Sequence, residues 1–135
     1  MKLTILTTLL LAFVLSLATT HAAPKLGDWK RLGQKEADLK VDRDEIAVGA
    51  DEGVFKSIKL GVLKTGVEFI NVRAVYASGD DQEIEVRKKI RAGGETRVID
   101  LDGRNRVIRK VVFLYRTDGK ARKPAVVVLF GRHSS

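Results

Sequence analysis

The segment from Arg91 to Tyr115 constrains the fold most strongly, because it combines two glycine turns with strand-forming residues. Gly93-Gly94 and Asp102-Gly103 permit the positive φ angles of tight turns. Residues 96–101 carry β-branched side chains, and residues 106–115 place apolar side chains on both faces of an extended chain. The two runs predict a β-hairpin whose second strand lies centrally in its sheet and is covered on each side.

Other parts of the chain continue this pattern. Residues 55–63 and 67–77 alternate between apolar and polar positions, and residues 125–130 form an apolar run. No segment carries a helical apolar stripe of useful length. About eight strands, punctuated by glycine, predict an all-β fold: an antiparallel β-sandwich or a jelly-roll-like barrel.

The N-terminus has the composition of a secretory signal peptide. Lys2 supplies a short positive region, residues 6–18 are apolar apart from Thr and Ser, and Ala22 offers a small residue for cleavage. A retained membrane anchor is the alternative, but the apolar run is shorter than the roughly 20 residues that a spanning helix needs. We therefore expect a signal peptide over residues 1–22, a single β-sandwich domain over residues 23–135, and a secreted or periplasmic location.

Charge is distributed unevenly along the chain. Residues 23–82 carry 10 Lys and Arg against 11 Asp and Glu, whereas residues 83–135 carry 14 against 6. In an exported protein, a basic half of this kind suits an anionic envelope polymer, lipid headgroups or an acidic protein. The alternative is a solvated surface that keeps a β-protein soluble.

Five arginines in or beside the predicted hairpin are the candidate residues for an anionic partner. We expect Arg97 to be half-buried, since it alternates with Ile99 and Leu101, and to pair with Asp100 or Asp102 on a neighbouring strand. The candidate set is Arg97, Arg104, Arg106, Arg109 and Arg116. The few aromatic residues are not interleaved with Lys or Arg as in a nucleic-acid-binding motif, so no nucleic acid is expected.

Catalysis has little support in the sequence. Cysteine is absent, so a disulfide framework and a thiol nucleophile are both excluded. His133 would be the mature chain's single histidine, and it is expected in a C-terminal tail. Pairs of carboxylates can act in glycosidases, but three of the four groups flank glycine and favour turn formation. These groups are Asp42/Asp44/Glu45, Asp51/Glu52, Asp80/Asp81 and Asp100/Asp102. We expect no catalytic residue, no metal site and no cofactor.

Several short motifs extend across most of the mature chain. They are Trp29-x-x-Leu32-Gly33, Asp42-Arg43-Asp44-x-Ile46-x-Val48-Gly49, Phe55-x-x-Ile58-Lys59-Leu60, Gly93-Gly94-Glu95-Thr96-Arg97-Val98-Ile99-Asp100-Leu101-x-Gly103, Arg106-x-Ile108, Tyr115-Arg116 and Leu129-x-Gly131-Arg132. In these motifs the chain resembles an uncharacterised family of small exported bacterial proteins, a domain of unknown function. The resemblance implies an exported β-rich domain, and it implies no known activity or catalytic residue.

Three functional hypotheses follow. The preferred one is an exported, non-enzymatic β-sandwich that is envelope-associated or binds an anionic partner through its basic C-terminal half. The first alternative is a hydrolase that uses paired carboxylates, and it requires two carboxylates within roughly 5 to 10 Å in a cleft. The second alternative is a subunit that adds a strand to a partner through residues 125–130, provided that this strand is an uncovered sheet edge.

Overall fold

The computed structural model describes residues 28–37, 42–117 and 123–134. The predicted signal peptide lies outside these ranges. The described residues form nine strands, with a short 3₁₀ helix at Ala50–Glu52. The strands are β1 (Trp29–Ala37), β2 (Asp42–Ala47), β3 (Phe55–Leu63), β4 (Val67–Tyr76), β5 (Asp81–Ile84), β6 (Lys88–Ile90), β7 (Ile99–Asp100), β8 (Ile108–Thr117) and β9 (Ala125–His133).

The strands form two antiparallel sheets, which confirms the predicted all-β fold class. Sheet 1 has the strand order β1-β9-β3-β7, and sheet 2 has the order β2-β8-β4-β5, with β6 also paired to β4. The chain changes sheet six times: between β1 and β2, β2 and β3, β3 and β4, β6 and β7, β7 and β8, and β8 and β9. The strand registers place the strand ends that flank the β1–β2, β3–β4 and β8–β9 connections at the same end of the molecule.

Side chains from both sheets form one apolar core. In β3 the predicted alternation is confirmed, since Ile58, Leu60 and Val62 are at most 1% exposed. In β4 a bulge between Phe69 and Asn71 shifts the alternation. The bulge allows both halves of this long strand to turn apolar side chains inward. The buried residues of β4 are Val67, Phe69, Val72, Ala74 and Tyr76.

The predicted hairpin of residues 96–101 with residues 106–115 is wrong. β7 pairs with β3 in sheet 1, whereas β8 lies between β2 and β4 in sheet 2. Residues 93–101 follow the edge of β3, where the amide of Gly93 donates to the carbonyl of Val62 at 2.7 Å and the amide of Thr96 donates to that of Leu60 at 2.8 Å. The edge of β3 therefore competes successfully with local pairing across the Asp102-Gly103 turn.

The predictions for the C-terminal strand are also corrected. β9 lies between β1 and β3, so residues 125–130 offer no free edge, and the strand-addition hypothesis is wrong. Residues 131–133 continue β9 instead of forming a tail. The His133 ring stacks on Phe55 with centroids 4.6 Å apart, and its Nε2 lies 3.0 Å from the carbonyl oxygen of Glu52. These contacts hold the C-terminal residues against the domain.

Candidate functional site

One end of the sandwich collects lysines and arginines from four separate parts of the chain. The β3–β4 turn, β6, the end of β8 and the start of β9 all meet there, because Val67 pairs with both Ile90 and Thr117. The hydroxyl of Thr65 also donates to the carbonyl of Lys123 at 2.9 Å. We call this surface the basic end and define it by six exposed residues: Lys64, Lys88, Lys89, Arg91, Arg116 and Lys123.

The cations of the basic end make no ion pair with any carboxylate in the described ranges. Glu36 and Glu68 are the carboxylates described there, and Glu68 lies between Arg116 and Lys89 in one row across sheet 2. Elsewhere in the fold, seven cations have carboxylate partners: Lys30, Lys59, Arg73, Arg87, Arg104, Arg106 and Lys110. Six further cations form no ion pair with a described carboxylate, but they are spread over the two sheets: Arg31, Lys35, Lys56, Arg97, Arg109 and Arg132. The basic end therefore differs from the rest of the fold in concentrating unpaired cations in one place.

The opposite end of the sandwich is rich in carboxylates. It contains the 3₁₀ helix, the β4–β5 turn and the residues between β7 and β8. We call this end of the sandwich the acidic end. Its carboxylates are those of Asp51, Glu52, Asp80, Asp81, Asp100 and Asp102. Four of these carboxylates are paired with cations, namely Lys30, Arg73, Arg104 and Arg106. Charges are thus largely paired at this end and unpaired at the basic end, a difference that the charge of the two halves of the sequence only partly indicated.

Arg106 is the centre of a polar cluster at the acidic end. One guanidinium nitrogen donates to both carboxylate oxygens of Asp80 at 2.7 Å, and the same nitrogen donates to the Ser78 hydroxyl at 3.1 Å. The guanidinium carbon lies 3.7 Å from the ring centroid of Tyr76, a cation–π contact. The hydrogen bond from Arg106 lowers the pKa of Asp80, and the same bond raises the pKa of Arg106. This arginine therefore joins two connecting segments.

Gln82 completes the cluster. Its amide oxygen accepts hydrogen bonds from the Tyr76 hydroxyl at 2.5 Å and from the backbone amide of Asp102 at 2.8 Å. Burial raises the pKa of Tyr76, so its hydroxyl keeps its proton at neutral pH. The predicted pairing of Arg97 with Asp100 or Asp102 is wrong: Asp100 pairs with Arg104, and the close Arg–Asp pair of this cluster joins Arg106 to Asp80.

The five predicted arginines do not form one cluster. Arg97 is exposed on the edge segment of sheet 1, which corrects its expected half-buried position, although Ile99 and Leu101 are buried as expected. Arg104 and Arg106 lie at the acidic end. Arg109 and Arg116 lie near opposite ends of β8, about 23 Å apart at 3.3 Å per residue. Of the five, only Arg116 belongs to the basic end.

The sequence contained a signal for the basic end that the preceding interpretation did not use. Residues 87–91 read RKKIR, and residues 120–123 read KARK. Runs of like charge of this kind often mark interaction surfaces. Lys64 and Arg116 lie at the basic end only because of strand pairing. The residues around them in the sequence do not indicate that they belong to this surface.

The four predicted carboxylate groups lie on β2, in the 3₁₀ helix, in the β4–β5 turn and around β7. Asp80 and Asp102 both lie beside Arg106, and the backbone carbonyl of Asp102 accepts a hydrogen bond from it at 3.4 Å. Because the Asp80 carboxylate is held ionised by Arg106, it does not have the raised pKa that a general acid requires. The hydrolase alternative stays a hypothesis.

The outer face of sheet 1 contains a groove of about 320 Å³. We call it the outer groove and define it by Trp29, Lys59, Gly61, Leu63, Glu95 and Phe130. Lys59 lies 4.5 Å from the Trp29 ring centroid and pairs with Glu95 at 2.7 Å. Arg132 contacts the same indole at 4.4 Å, and its buried Nε has no hydrogen-bond partner. The groove therefore combines aromatic walls with charged groups.

The outer face of sheet 2 has a second depression, of about 270 Å³. Its apolar side chains, Val112 and Leu114, belong to β8, so the predicted cover on both faces of this strand is corrected: the outer face opens onto the depression. Asn71 donates to Glu83 at 2.5 Å, and Arg73 pairs with Asp81 at 3.4 Å. The Oδ1 of Asn71 is buried without a hydrogen-bond partner.

Two further findings concern the described ranges alone. No helix in them is long and apolar enough to span a bilayer. No group of three or more His, Asp or Glu side chains in them is arranged to hold a metal ion.

A scan against family models identified one family, described as Domain of unknown function (DUF2541). The searches of curated proteins and of solved structures found no match. The match covers residues 4–131, nearly the whole chain, and agrees with the resemblance in the sequence motifs. The chain belongs to this family, the domain of unknown function DUF2541.

Proposed function

We propose that this protein is an exported, non-enzymatic β-sandwich that binds an anionic partner through its basic C-terminal half, with the basic end as the contact surface. The observation that supports the proposal is the convergence there of six exposed cations without described carboxylate partners. Five of the six belong to the basic second half of the sequence. The partner class is an anionic envelope polymer, lipid headgroups or an acidic protein.

The uneven pairing of charges strengthens this proposal. An anionic partner is attracted to the unpaired cations of the basic end, whereas the charges of the acidic end are largely paired with each other, so the field of the molecule favours an encounter at the basic end. Each lysine or arginine near an anionic surface contributes about 1 kcal/mol, and the attraction falls off within a Debye length of about 8 Å at physiological salt. Six cations on one end are enough for measurable, salt-sensitive binding.

The experiment compares two triple variants with the same change in net charge. Lys88→Glu/Lys89→Glu/Arg91→Glu removes half of the basic end, and Arg97→Glu/Arg104→Glu/Arg109→Glu changes three of the arginines predicted from sequence. Binding to polyphosphate is measured at low and high salt by fluorescence anisotropy. We expect the first variant to lose at least tenfold in affinity and the second to lose much less. Equal losses, or binding insensitive to salt, would contradict the proposal.

Export requires a separate measurement. Expression of the full chain in a bacterial host with a secretion pathway, followed by fractionation and N-terminal sequencing, is expected to recover a mature chain that begins at Ala23 outside the cytoplasm. Recovery of an unprocessed chain in the cytoplasm would contradict this part of the proposal.

A further inference from the structure

The outer groove has aromatic walls placed close to the sheet. A Cβ atom at position 61 would lie 3.1 Å from Cε2 of Phe130, so the glycine lets this ring approach the strand. Trp29 lies near the same part of the groove, since the Nζ of Lys59 is 4.5 Å from the Trp29 ring centroid and 5.6 Å from that of Phe130. Both aromatic side chains are half-buried, so each keeps part of its surface in solvent. Aromatic side chains of this kind offer an apolar face next to polar surroundings.

Polar groups lie beside these rings. The side chain of Lys59 is 17% exposed and that of its partner Glu95 is 47% exposed, so the carboxylate in particular is accessible. Arg132 lies 4.4 Å from the Trp29 ring centroid and forms no ion pair with a described carboxylate. Its Nε is buried, so a contact with an external acceptor has to come from the two terminal guanidinium nitrogens. A ligand for this groove therefore needs apolar faces for the rings together with hydroxyl or acidic groups for the charged side chains.

The groove leads directly to the basic end. Leu63 lines the groove and is 47% exposed, and the next residue in the chain is Lys64 of the basic end. Gly93 and Gly94, which also line the groove, follow Arg91. From Lys59 to Leu63 the groove runs about 13 Å along β3, long enough for more than one sugar ring. One extended ligand can thus contact the aromatic walls and the unpaired cations together.

Other occupants fit these features less well. A peptide that adds a strand needs a free sheet edge, and the groove lies on the face of central strands. A lipid acyl chain favours an enclosed apolar channel, whereas this groove is open and has charged side chains in its walls. Sugar rings match it, because their C–H faces pack on aromatic rings while their hydroxyl and acidic groups bind lysine, arginine and carboxylate side chains.

We infer that the anionic partner is an acidic glycan, whose sugar rings lie in the outer groove and whose acidic groups bind the basic end. This inference rests on the proposed function, because it assumes that the basic end is the contact surface. It goes further in naming a second contact surface and the chemical class of the partner.

Trp29 provides a direct test, since it is the chain's only tryptophan and reports on the groove. The full mature chain is titrated with polygalacturonate, a polymer of acidic sugars, and with polyphosphate, which has charge without sugar rings. We expect both polymers to bind in a salt-sensitive manner. Polygalacturonate should shift or quench the Trp29 emission, and polyphosphate should leave it unchanged.

A pair of variants separates the groove from the basic end. Phe130→Leu keeps an apolar side chain beside Gly61 but removes the aromatic ring, and we expect it to weaken polygalacturonate binding at least fivefold while polyphosphate binding is unchanged. Leu114→Ala, on the outer face of sheet 2, is the matched control and should alter neither affinity. Circular dichroism checks that both variants are folded, and the comparison of the two polymers on the unmodified protein does not depend on either variant.

The outcomes distinguish the two proposals. Polyphosphate binding without a Trp29 response to polygalacturonate, or a folded Phe130→Leu variant with full polygalacturonate affinity, would overturn the glycan inference and leave the proposed function intact. A single-stranded oligonucleotide that binds more tightly than polygalacturonate and changes the Trp29 emission would also overturn it, in favour of a nucleic-acid ligand. Absence of binding to both polymers would overturn both proposals.

Discussion

Single polar side chains join parts of this fold that backbone pairing leaves separate. Arg106 binds Asp80 across 26 residues of sequence and covers the Tyr76 ring. Thr96 acts inside sheet 1, where its hydroxyl accepts the backbone amide of Leu60 at 3.0 Å and donates to the carbonyl of Arg97 at 2.9 Å. Both residues stabilise segments that lack regular strand pairing.

The ion pair of Asp80 predicts a pH-dependent stability. Because the pKa of Asp80 is lowered in the folded state, its stabilising contribution is fully present above the unfolded-state pKa of about 3.9 and is lost as the pH falls through the folded-state pKa. We expect Asp80→Asn to lower the free energy of unfolding at neutral pH, and the difference from the unmodified protein to shrink in acid. Urea unfolding over a pH series measures this.

Asp51→Asn is the control for Asp80→Asn, because Asp51 is exposed and has no ion pair within the described ranges. It should have little effect at any pH. A loss of stability in Asp80→Asn that stayed constant down to the lowest pH at which the protein is folded would show that the ion pair is not its cause.

Thr96→Val is expected to destabilise the domain by about 1–3 kcal/mol, because valine has nearly the same shape but leaves the Leu60 amide without an acceptor in a buried position. Chemical denaturation gives the value. Thr65→Val removes an exposed hydrogen bond to the carbonyl of Lys123 and serves as the matched control, with an expected cost of at most about 1 kcal/mol. Equal costs at the two positions would argue against the role of Thr96 in sheet 1.

At the scale of elements, β9 organises sheet 1. It pairs along its length with β1 on one side and β3 on the other, and residues 125–129 are buried. A strand buried on both faces in a two-sheet protein requires side chains from its neighbours to cover the outer face, and Trp29 and Leu63 are among those that lie there. The position of β9 also explains why its apolar run is not available to a partner.

Close packing near the end of β9 predicts a large effect of a small substitution. A Cβ at position 131 would lie 2.7 Å from both Leu32 Cδ1 and Phe55 Cδ1. Gly131→Ala is therefore expected to cost about 1–3 kcal/mol through overpacking, measured by chemical denaturation. The same substitution should cost less in a Leu32→Ala background, because one of the two collisions is then absent. An identical cost in both backgrounds would mean that Leu32 is not the cause.

At the scale of the whole molecule, the two sheets share one apolar core, and β1 pairs with β9 from the other end of the described chain. Neither sheet can bury its inner face without the other. The acidic end and the basic end are likewise properties of the assembled sandwich, since each collects residues from several strands and turns.

A shared core predicts cooperative unfolding. Trp29 fluorescence reports sheet 1, and far-UV circular dichroism reports both sheets, so the two signals are expected to change at the same urea concentration. Since strands far apart in sequence must pair, refolding should take milliseconds to seconds. Loss of the Trp29 signal at clearly lower urea concentration would show that sheet 1 unfolds separately.

The sequence by itself determined the strands, because alternation along one strand is a local property. In residues 55–63 the alternation of apolar and polar residues correctly predicted a strand whose inward side chains are Ile58, Leu60 and Val62. Glycine and aspartate indicated the turns. The resemblance in the motifs likewise identified the family. The charge difference between the two halves of the chain indicated a basic surface. The run of lysines and arginines at residues 87–91 indicated where part of that surface lies.

Only the tertiary structure decided which strands pair and which charges meet. Residues 96–101 lie beside β3 and not beside residues 106–115, and their backbone hydrogen bonds go to the edge of β3. Arg106 is neutralised by Asp80, whereas Lys64 and Arg116 lie at the same unpaired surface as Lys89. Which strands pair and which charged side chains come together depends on strand order and register across the whole chain. Patterns within one short segment do not determine either.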